Sequence, residues 1–305
     1  MPVLGAHMSA AGGLDKAVDR GSEVGCQCVQ VFLAAPQAWP KPPRATGNLA
    51  RKGFQAFELP SETIERFRQA MARHALLAAI AHSSYLINLA SPDRALWRKS
   101  INAYVIELHR AAQLGIPYVV VHPGACTTSS ETAGVRRVIR ALDEVHRQTR
   151  GLSAECLLEN TAGQGTCLGH RFEQLAAILD GVREPERLGI CFDTCHAFAA
   201  GYALAAAAEY RRTLQDLQRS VGIERVRAIH VNDSKRELGS RVDRHEHIGR
   251  GQVGVAAFAR LVNDRRFRGI PMVLETPKGT DPRTRRAWDA TNLALLRGLV
   301  GRPIT

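Results

Sequence analysis

The sequence predicts an α/β fold, a TIM (β/α)8 barrel that forms a single domain over residues 1–305. Eight short apolar runs without polar alternation recur along the chain, which is typical of strands buried on both faces. Segments with the periodicity of amphipathic helices lie between these runs, and no linker or change of composition divides the chain. This repeated alternation favours a closed parallel barrel, with a doubly wound open sheet as the alternative.

The predicted strands are four to seven residues long. In chain order they are Val3–His7, Cys28–Leu33, Leu76–His82, Tyr118–His122, Cys156–Glu159, Leu188–Asp193, Val226–Asn232 and Pro271–Glu275. The clearest helices are Ser61–His74, Asp93–Leu114, Glu131–Arg147, Ala206–Val221 and Arg283–Leu299. Capping chemistry is expected at two helix starts, from Ser61 before Glu62 and from the segment Ser91-Pro92-Asp93.

Composition excludes several classes of protein. Hydrophobic residues make up 45% and charged residues 23% of the chain, so a disordered or fibrous protein is excluded. No apolar run approaches the ~18 residues of a transmembrane helix, and the N-terminal segment lacks the features of a signal peptide. Seven cysteines without a CxxC pair indicate reduced thiols. We therefore expect a cytoplasmic protein with no membrane partner.

The chain is strongly basic, with a formal net charge of +12. Such an excess of cations favours a polyanionic partner such as nucleic acid. An arginine-rich composition without functional meaning explains it equally well, because the arginines are scattered and form no basic tail. Charge alone does not decide between these interpretations.

Histidines and acidic residues end most of the predicted strands or follow them in loops. They are His7, His82, His122, Glu159, Asp193, His196, His230, Asp243, His245, His247 and Glu275. The strand-end members from His82 to Glu275 lie 34 to 45 residues apart, about one strand–helix unit each. Because parallel barrels gather the C-terminal ends of their strands at one rim, these side chains are expected to converge. Burying so many polar groups without partners is costly, and a metal cluster would satisfy them together.

The other histidines are interpreted differently. His74, His109 and His146 lie on predicted helices and are expected at the solvated surface, and His170 is expected to have a capping or surface role. Cys195 has apolar neighbours and is given a structural role.

The type of ligand limits the choice of metal. Imidazole and carboxylate groups without a cysteine cluster suit Zn²⁺ or Mn²⁺ in a catalytic site. Even nine of these eleven candidates would exceed the needs of one ion, so we expect two or three ions. Two ions ~3.5–4 Å apart can clamp both sides of a phosphoryl transfer, and this chemistry suits phosphodiester cleavage.

Motifs along almost the whole chain resemble endonuclease IV, the metal-dependent apurinic/apyrimidinic endonuclease family 2 of base excision repair. They are Gly5-Ala-His-Met-Ser-Ala-Ala-Gly-Gly13, His82-Ser-Ser-Tyr-Leu-Ile-Asn-Leu89, Val121-His122-Pro-Gly124, Leu158-Glu159-Asn-Thr-Ala-Gly-Gln-Gly165, Cys191-Phe-Asp193-Thr-Cys-His196-Ala-Phe-Ala-Ala-Gly201, His230-Val-Asn-Asp-Ser-Lys235, Gly239-Ser-Arg-Val-Asp243-Arg-His245 and Leu274-Glu275-Thr-Pro277.

The resemblance implies a TIM barrel with three Zn²⁺ ions, with Mn²⁺ as an alternative at one or more sites. The implied ligands are His82, His122 and Glu159 for the first ion, Glu159, Asp193, His230 and Glu275 for the second, and His196, Asp243 and His245 for the third. Glu159 and Glu275 would be the catalytic carboxylates. His7, which the family does not use as a ligand, would contact the substrate or the ligands, and His247 would have no chemical role.

The resemblance also implies the substrate, which is duplex DNA with a missing base. A monomeric enzyme would hydrolyse the phosphodiester 5′ to the abasic site, leaving a 3′-hydroxyl and a 5′-deoxyribose phosphate. Activity as a 3′-phosphodiesterase or 3′-exonuclease could accompany this reaction. Tyr85 and Leu86 match the family's residues that wedge into the DNA, although Tyr85 could instead pack at the rim.

One segment departs from the family pattern. Where the family commonly has an arginine before its tryptophan, this chain has Gln37 in the segment Ala34–Trp39, so a weaker grip on DNA is expected. Two other functions remain open: a sugar isomerase or epimerase of the same barrel superfamily with one divalent ion, and a DNA-binding protein without catalysis.

Overall fold

The computed structural model describes residues 1–40 and 57–302, and eight strands of this part of the chain form a closed barrel. The barrel strands are β1 Val3–His7, β2 Cys28–Phe32, β3 Ala78–His82, β4 Tyr118–Val121, β5 Glu155–Glu159, β6 Leu188–Asp193, β7 Val226–His230 and β10 Pro271–Leu274. Their order around the barrel is β1-β10-β7-β6-β5-β4-β3-β2, and all eight neighbouring pairs are parallel. The predicted single-domain TIM barrel is confirmed, and the open sheet is wrong because β1 pairs with β10.

Helices cover the outside of the barrel. They are α1 Leu14–Glu23, α2 Ser61–Arg73, α3 Arg94–Leu114, α4 Glu131–Gln148, α5 Phe172–Gly181, α6 Thr194–Ala199, α7 Ala207–Ser220, α8 Val255–Asn263 and α9 Trp288–Leu299. In the described part of the chain, none of them is long and apolar enough to cross a membrane.

The predicted helix starts are only partly correct. The segment Ser91-Pro92-Asp93 caps α3 as expected, and Asp93 is the residue whose side chain accepts hydrogen bonds from the amides of the first turn. Ser61 does not cap α2, since the helix already begins there and Pro60 occupies the capping position. The last helix begins at Trp288 rather than Arg283, because the Asp281 carboxylate accepts from the Arg283 amide and holds this segment in a turn.

Two separate sets of buried side chains form the hydrophobic core, one outside and one inside the ring of strands. The larger set lies between the strands and the helices. The smaller set contributes one residue from each of seven strands to the barrel interior: Cys28, Ile80, Val120, Leu157, Cys191, Ala228 and Val273. This apolar layer is the floor on which the site described below rests.

The helical histidines correct one expectation. His109 and His146 are buried, at 8% and 1% exposure, because α3 and α4 pack against each other and against the barrel. His170 is also buried, and its Nδ1 donates to the Cys167 carbonyl. His74 is partly exposed and pairs with Asp19 at 2.9 Å.

Two long loops follow strands of the barrel. In the loop 34–60 after β2, residues 41–56 lie outside the described residues. The loop 232–254 after β7 contains a short antiparallel pair, β8 Asp233–Ser234 with β9 His245–Glu246. All seven cysteines are free thiols.

Candidate metal centre

The site is built on the barrel's own periodicity. Side chains alternate between the two faces of a strand, so the residue two positions after an interior residue also faces inward, one layer closer to the rim. Two positions beyond the apolar floor lie Gln30, His82, His122, Glu159, Asp193, His230 and Glu275. Six of these seven are predicted ligands, and their convergence follows from strand register alone.

Glu159 lies at the centre of this layer and is fully buried. Its Oε1 lies 2.8 Å from His230 Nδ1 and 3.3 Å from His196 Nδ1. Its Oε2 lies 3.0 Å from His122 Nε2 and 3.2 Å from His82 Nε2. Burial opposes ionisation, but the charges of His230 and His122 outweigh it and hold the pKa of Glu159 well below its usual range.

Backbone carbonyls fix the orientation of two imidazoles. His82 Nδ1 donates to the Ser83 carbonyl at 2.8 Å, and His196 Nδ1 donates to the Asn160 carbonyl at 2.9 Å. A carbonyl can only accept, so these ring nitrogens carry the proton. In this neutral tautomer the Nε2 lone pair of His82 points at Glu159 Oε2. The Nε2 lone pair of His196 points at Asp243 Oδ2, 3.3 Å away.

His230 and His245 are held in the same way. His230 Nε2 donates to Gln30 Oε1 at 2.8 Å, which leaves Nδ1 facing Glu159 and, at 3.2 Å, Glu275. His245 Nδ1 donates to the Glu275 carbonyl at 3.1 Å. Its Nε2 is buried without a hydrogen-bond partner among the described residues and faces Asp243 Oδ1 at 3.3 Å.

These contacts fit a metal ion. A lone pair that faces a carboxylate oxygen at about 3 Å is repulsive unless a cation, either a proton or a metal ion, lies between them. Metal-binding histidines commonly donate the second ring N–H to a carbonyl or carboxylate, as these four do to oxygen acceptors. A donor set of imidazole nitrogens and carboxylate oxygens suits Zn²⁺ or Mn²⁺.

All nine predicted ligands come together in three groups whose candidate ligand atoms lie within 4.8 Å of one another. The groups are His82, His122 and Glu159; Glu159, Asp193, His230 and Glu275; and His196, Asp243 and His245. Cys191 and Cys195 also lie within this distance of some members. Burial raises the pKa of both thiols to about 12, so they stay protonated and fit a packing role.

Three amide side chains that support the ligands were not among the predicted site residues. Gln30 donates to Glu275 Oε1 at 2.7 Å, and Asn232 donates to Asp193 Oδ2 at 2.7 Å while accepting from the Glu275 amide. Asn160 accepts from the Asp193 amide at 2.8 Å. The spacing of two from Cys28 is the sequence signal that could have identified Gln30.

Two candidate histidines lie outside the three groups. His7 Nδ1 lies 3.0 Å from Gln30 Nε2 and 3.5 Å from Glu275 Oε1, so it contacts the surroundings of the second group. Burial lowers the pKa of His7. His247 stacks on Trp288 with a centroid separation of 3.8 Å.

Among the predicted DNA-contacting residues, Tyr85 lies beside the metal centre, with its ring centroid 5.9 Å from that of His82. Tyr85 is 62% exposed, and its ring meets the edge of Phe32 at 5.2 Å. Gln37 is exposed and Leu86 is half-buried. The Tyr85 amide donates to the Pro36 carbonyl at 3.1 Å, which ties the two loops together.

The fold and site define a metal-binding TIM-barrel enzyme, and comparisons with known proteins agree. Residues 18–298 match the family described as "Xylose isomerase-like TIM barrel". The chain is 47% identical over 300 residues to "Probable endonuclease 4" of Chloroflexus aurantiacus, covering 98% of this chain and 99% of the relative. It is 45% identical over 302 residues to the protein of the same name from Geobacter sulfurreducens, covering 99% and 96%.

Solved structures give the same result. Endonuclease IV from Thermus thermophilus superposes with a TM-score of 0.81 at 36% identity, over 98% of both chains. The chain therefore belongs to the endonuclease IV family and is an enzyme, a phosphodiester hydrolase. A D-tagatose 3-epimerase-like protein, with a TM-score of 0.69 and 17% identity over 97% of this chain and 96% of its own, shares the fold alone.

Proposed function

We propose that this protein is a DNA-repair endonuclease that cleaves duplex DNA 5′ to abasic sites. The products are a 3′-hydroxyl and a 5′-deoxyribose phosphate. The enzyme acts as a monomer with three Zn²⁺ ions, one or more of which Mn²⁺ can replace. Activity on 3′-blocked ends can accompany the main reaction, because the same bond type is hydrolysed.

The observation that carries the proposal is the cluster of nine potential ligands, which are Glu159 and eight further side chains. The proposed ligands are His82, His122 and Glu159 for the first ion, Glu159, Asp193, His230 and Glu275 for the second, and His196, Asp243 and His245 for the third. A sugar isomerase of this barrel needs one ion and would leave most of these groups unpaired. Buried charges without partners are costly, so a multinuclear centre accounts for the site better.

The residues of this chain have distinct roles in the proposed hydrolysis. Bound divalent ions supply an activated water and neutralise charge on the phosphate. Glu159, shared by two groups, sets the spacing between them. Glu275 is 14% exposed and is placed to orient the attacking water and accept its proton. The water oxygen would bond to phosphorus as the bond between phosphorus and the 3′ oxygen breaks. The proton accepted by Glu275 would then pass to the 3′ oxygen, which would leave as a hydroxyl.

Charge at the rim supports a DNA substrate. The loop that carries Asp243 and His245 exposes five cationic side chains: Lys235, Arg236, Arg241, Arg244 and Arg250. Cationic side chains at such a rim can contact phosphates along a duplex. Exposed Tyr85, with Leu86 beside it, would enter the gap left by a missing base. His7, which contacts Glu275, and exposed Gln37 would be further DNA contacts.

The test is incision of an end-labelled duplex that contains one stable abasic analogue. We expect a single cut 5′ to the analogue, loss of cutting after prolonged chelation, recovery with added Zn²⁺, and three zinc ions per chain by elemental analysis. The same duplex without the analogue is the control and should stay intact. Absence of incision by fully loaded protein, or one metal ion per chain with sugar epimerisation, would contradict the proposal.

A further inference from the structure

Asp233 is a fully buried carboxylate in the loop that follows β7. Its Oδ1 accepts from the amides of Ser234 at 2.8 Å and Val253 at 2.9 Å. Its Oδ2 accepts from the amides of Gly249 at 2.9 Å and Gly251 at 3.1 Å. One side chain therefore binds four backbone N–H groups and closes the base of the loop between residues 234 and 253.

This loop carries two of the three side chains of the third group. Most members of the first two groups lie at the ends of barrel strands, and His196 lies on α6, which the Asp193 cap fixes. Asp243 and His245, in contrast, lie on the 232–254 loop. Their side chains are 43% and 16% exposed, so packing restrains them less than it restrains buried Glu159.

The side chains of Asp243 and His245 both contact His196, and the amides of Gly239 and Arg241 in their loop donate to the carbonyls of Phe198 and Ala199 at the end of α6. Asp243 and His245 themselves make two further hydrogen bonds outside the loop. The Asp243 amide donates to Gln164 Oε1 at 3.1 Å, and the His245 ring donates to the Glu275 carbonyl. β9, which begins at His245, pairs with β8, which begins at Asp233. The carboxylate of Asp233 and the ligand segment are thus parts of one hydrogen-bonded unit.

Gly251 shows how closely this unit is packed. A Cβ at this position would lie 2.3 Å from the Ser234 carbonyl oxygen and 2.5 Å from Asp233 Oδ1, closer than atoms can approach. The loop backbone rests directly on the carboxylate, and any side chain at 251 would push it away.

We infer that Asp233 is a positioning residue for the third metal group, through the loop that presents Asp243 and His245. The inference rests on the proposed function, because it takes His196, Asp243 and His245 as ligands. Residues that support metal ligands typically contribute 10–100-fold in metal affinity, roughly the effect expected here. No ligand of the first two groups lies on the segment between residues 234 and 253, so these groups should keep their ions.

The test is Asp233→Asn, measured by zinc content at controlled free zinc. Either orientation of the amide places its NH₂ group against two N–H donors, so the loop base should open. We expect the zinc content to fall from three to two ions per chain at a free zinc concentration that saturates the wild type. Zinc at about 10–100-fold higher concentration should restore the third ion and the incision activity, because all three ligands are still present. Hydrogen exchange should rise at the amides of residues 249–253.

Two further variants complete the experiment. Gly251→Ala keeps the carboxylate but displaces the loop, and it should weaken the third ion in the same way even if Asp233→Asn folds poorly. Asp281→Asn is the matched control, since Asp281 is a buried loop carboxylate that also accepts from a backbone amide, and the turn 281–286 that it closes carries no ligand. It should keep three ions.

The outcomes separate this inference from the proposed function. If the wild type does not hold three ions or does not incise abasic DNA, the proposed function fails. If the wild type does both, and Asp233→Asn keeps its third ion at limiting zinc with unchanged hydrogen exchange, only the role of Asp233 is wrong. A uniform loss of all three ions would also overturn it, because that result indicates a general structural role.

Discussion

At the scale of the residue, the site pairs a buried carboxylate with imidazoles, and either group would be unfavourable to bury without the other. Glu159 is fully buried, yet its pKa is held low because imidazoles face both of its oxygens. The attraction between the carboxylate and the imidazoles offsets the free-energy cost of removing these groups from water. Removing the charge of Glu159 should therefore affect metal binding and catalysis more than it changes the shape of the barrel.

Glu159→Gln tests this directly. The substitution keeps the volume but removes the charge shared by two groups, so we expect incision to fall by at least about a hundredfold and at least one ion to be lost. Single-turnover cleavage and zinc analysis measure the two effects. Glu155→Gln, at the other end of β5 and outside the three groups, should behave like the wild type. Wild-type turnover in Glu159→Gln would refute the assignment of two ions to Glu159.

At the scale of the element, strands and loops contribute different information. The predicted strand boundaries agree with the structure to within two residues, because apolar runs and their terminal ligands mark both ends. The sequence predicts loops less well: the pattern from Arg283 onward favours a helix, but the turn at Asp281 overrides that preference. The role of Gln30 is not predictable from the sequence alone, because a polar residue inside an apolar strand gives no signal until the register of the floor residues is known.

The loop after β2 provides a prediction at this scale. Gln37 is exposed beside the segment tied to Tyr85, so a longer cation there can reach a phosphate or the base stack. We expect Gln37→Arg to tighten binding to abasic duplex by about tenfold, as one base-stacking contact contributes ~1–3 kcal/mol. A titration at fixed salt measures this effect, with Gln37→Met as an uncharged control of similar length. Equal affinity of the two variants would remove Gln37 from the DNA-contacting set.

At the scale of the whole molecule, the residues that stabilise the barrel are different from the residues that bind the metal ions. The apolar floor and the packing beneath the helices hold the barrel, while the polar layer above the floor carries the ligands. Buried polar groups far from the site then affect only the global stability. His146 is such a group, because both of its ring nitrogens are buried without a hydrogen-bond partner among the described residues.

His146 predicts how stability depends on pH. Burial, assisted by the charge of Arg187, lowers its pKa from 6.5 to about 4. The unfolded chain therefore binds a proton before the folded one does, so this contribution is fully present above pH 6.5 and is lost as the pH falls towards 4. Between pH 7 and pH 5 the loss should be about 1–2 kcal/mol.

Urea unfolding of the wild type and His146→Leu at the two pH values isolates this contribution, since the other titrating groups are common to both proteins. The variant should lose less stability between pH 7 and pH 5. An identical pH dependence in the two proteins would show that His146 titrates normally.

The spacing of two residues between the apolar floor and the ligand layer also limits which insertions and deletions this sequence can accept during evolution. Deleting or inserting one residue within a strand would turn its ligand away from the interior and towards the helices. Such length changes are thus excluded in the strands but tolerated in the loops beyond them. Descendants of this sequence can accordingly acquire new substrate preferences through loop insertions while the metal chemistry stays fixed.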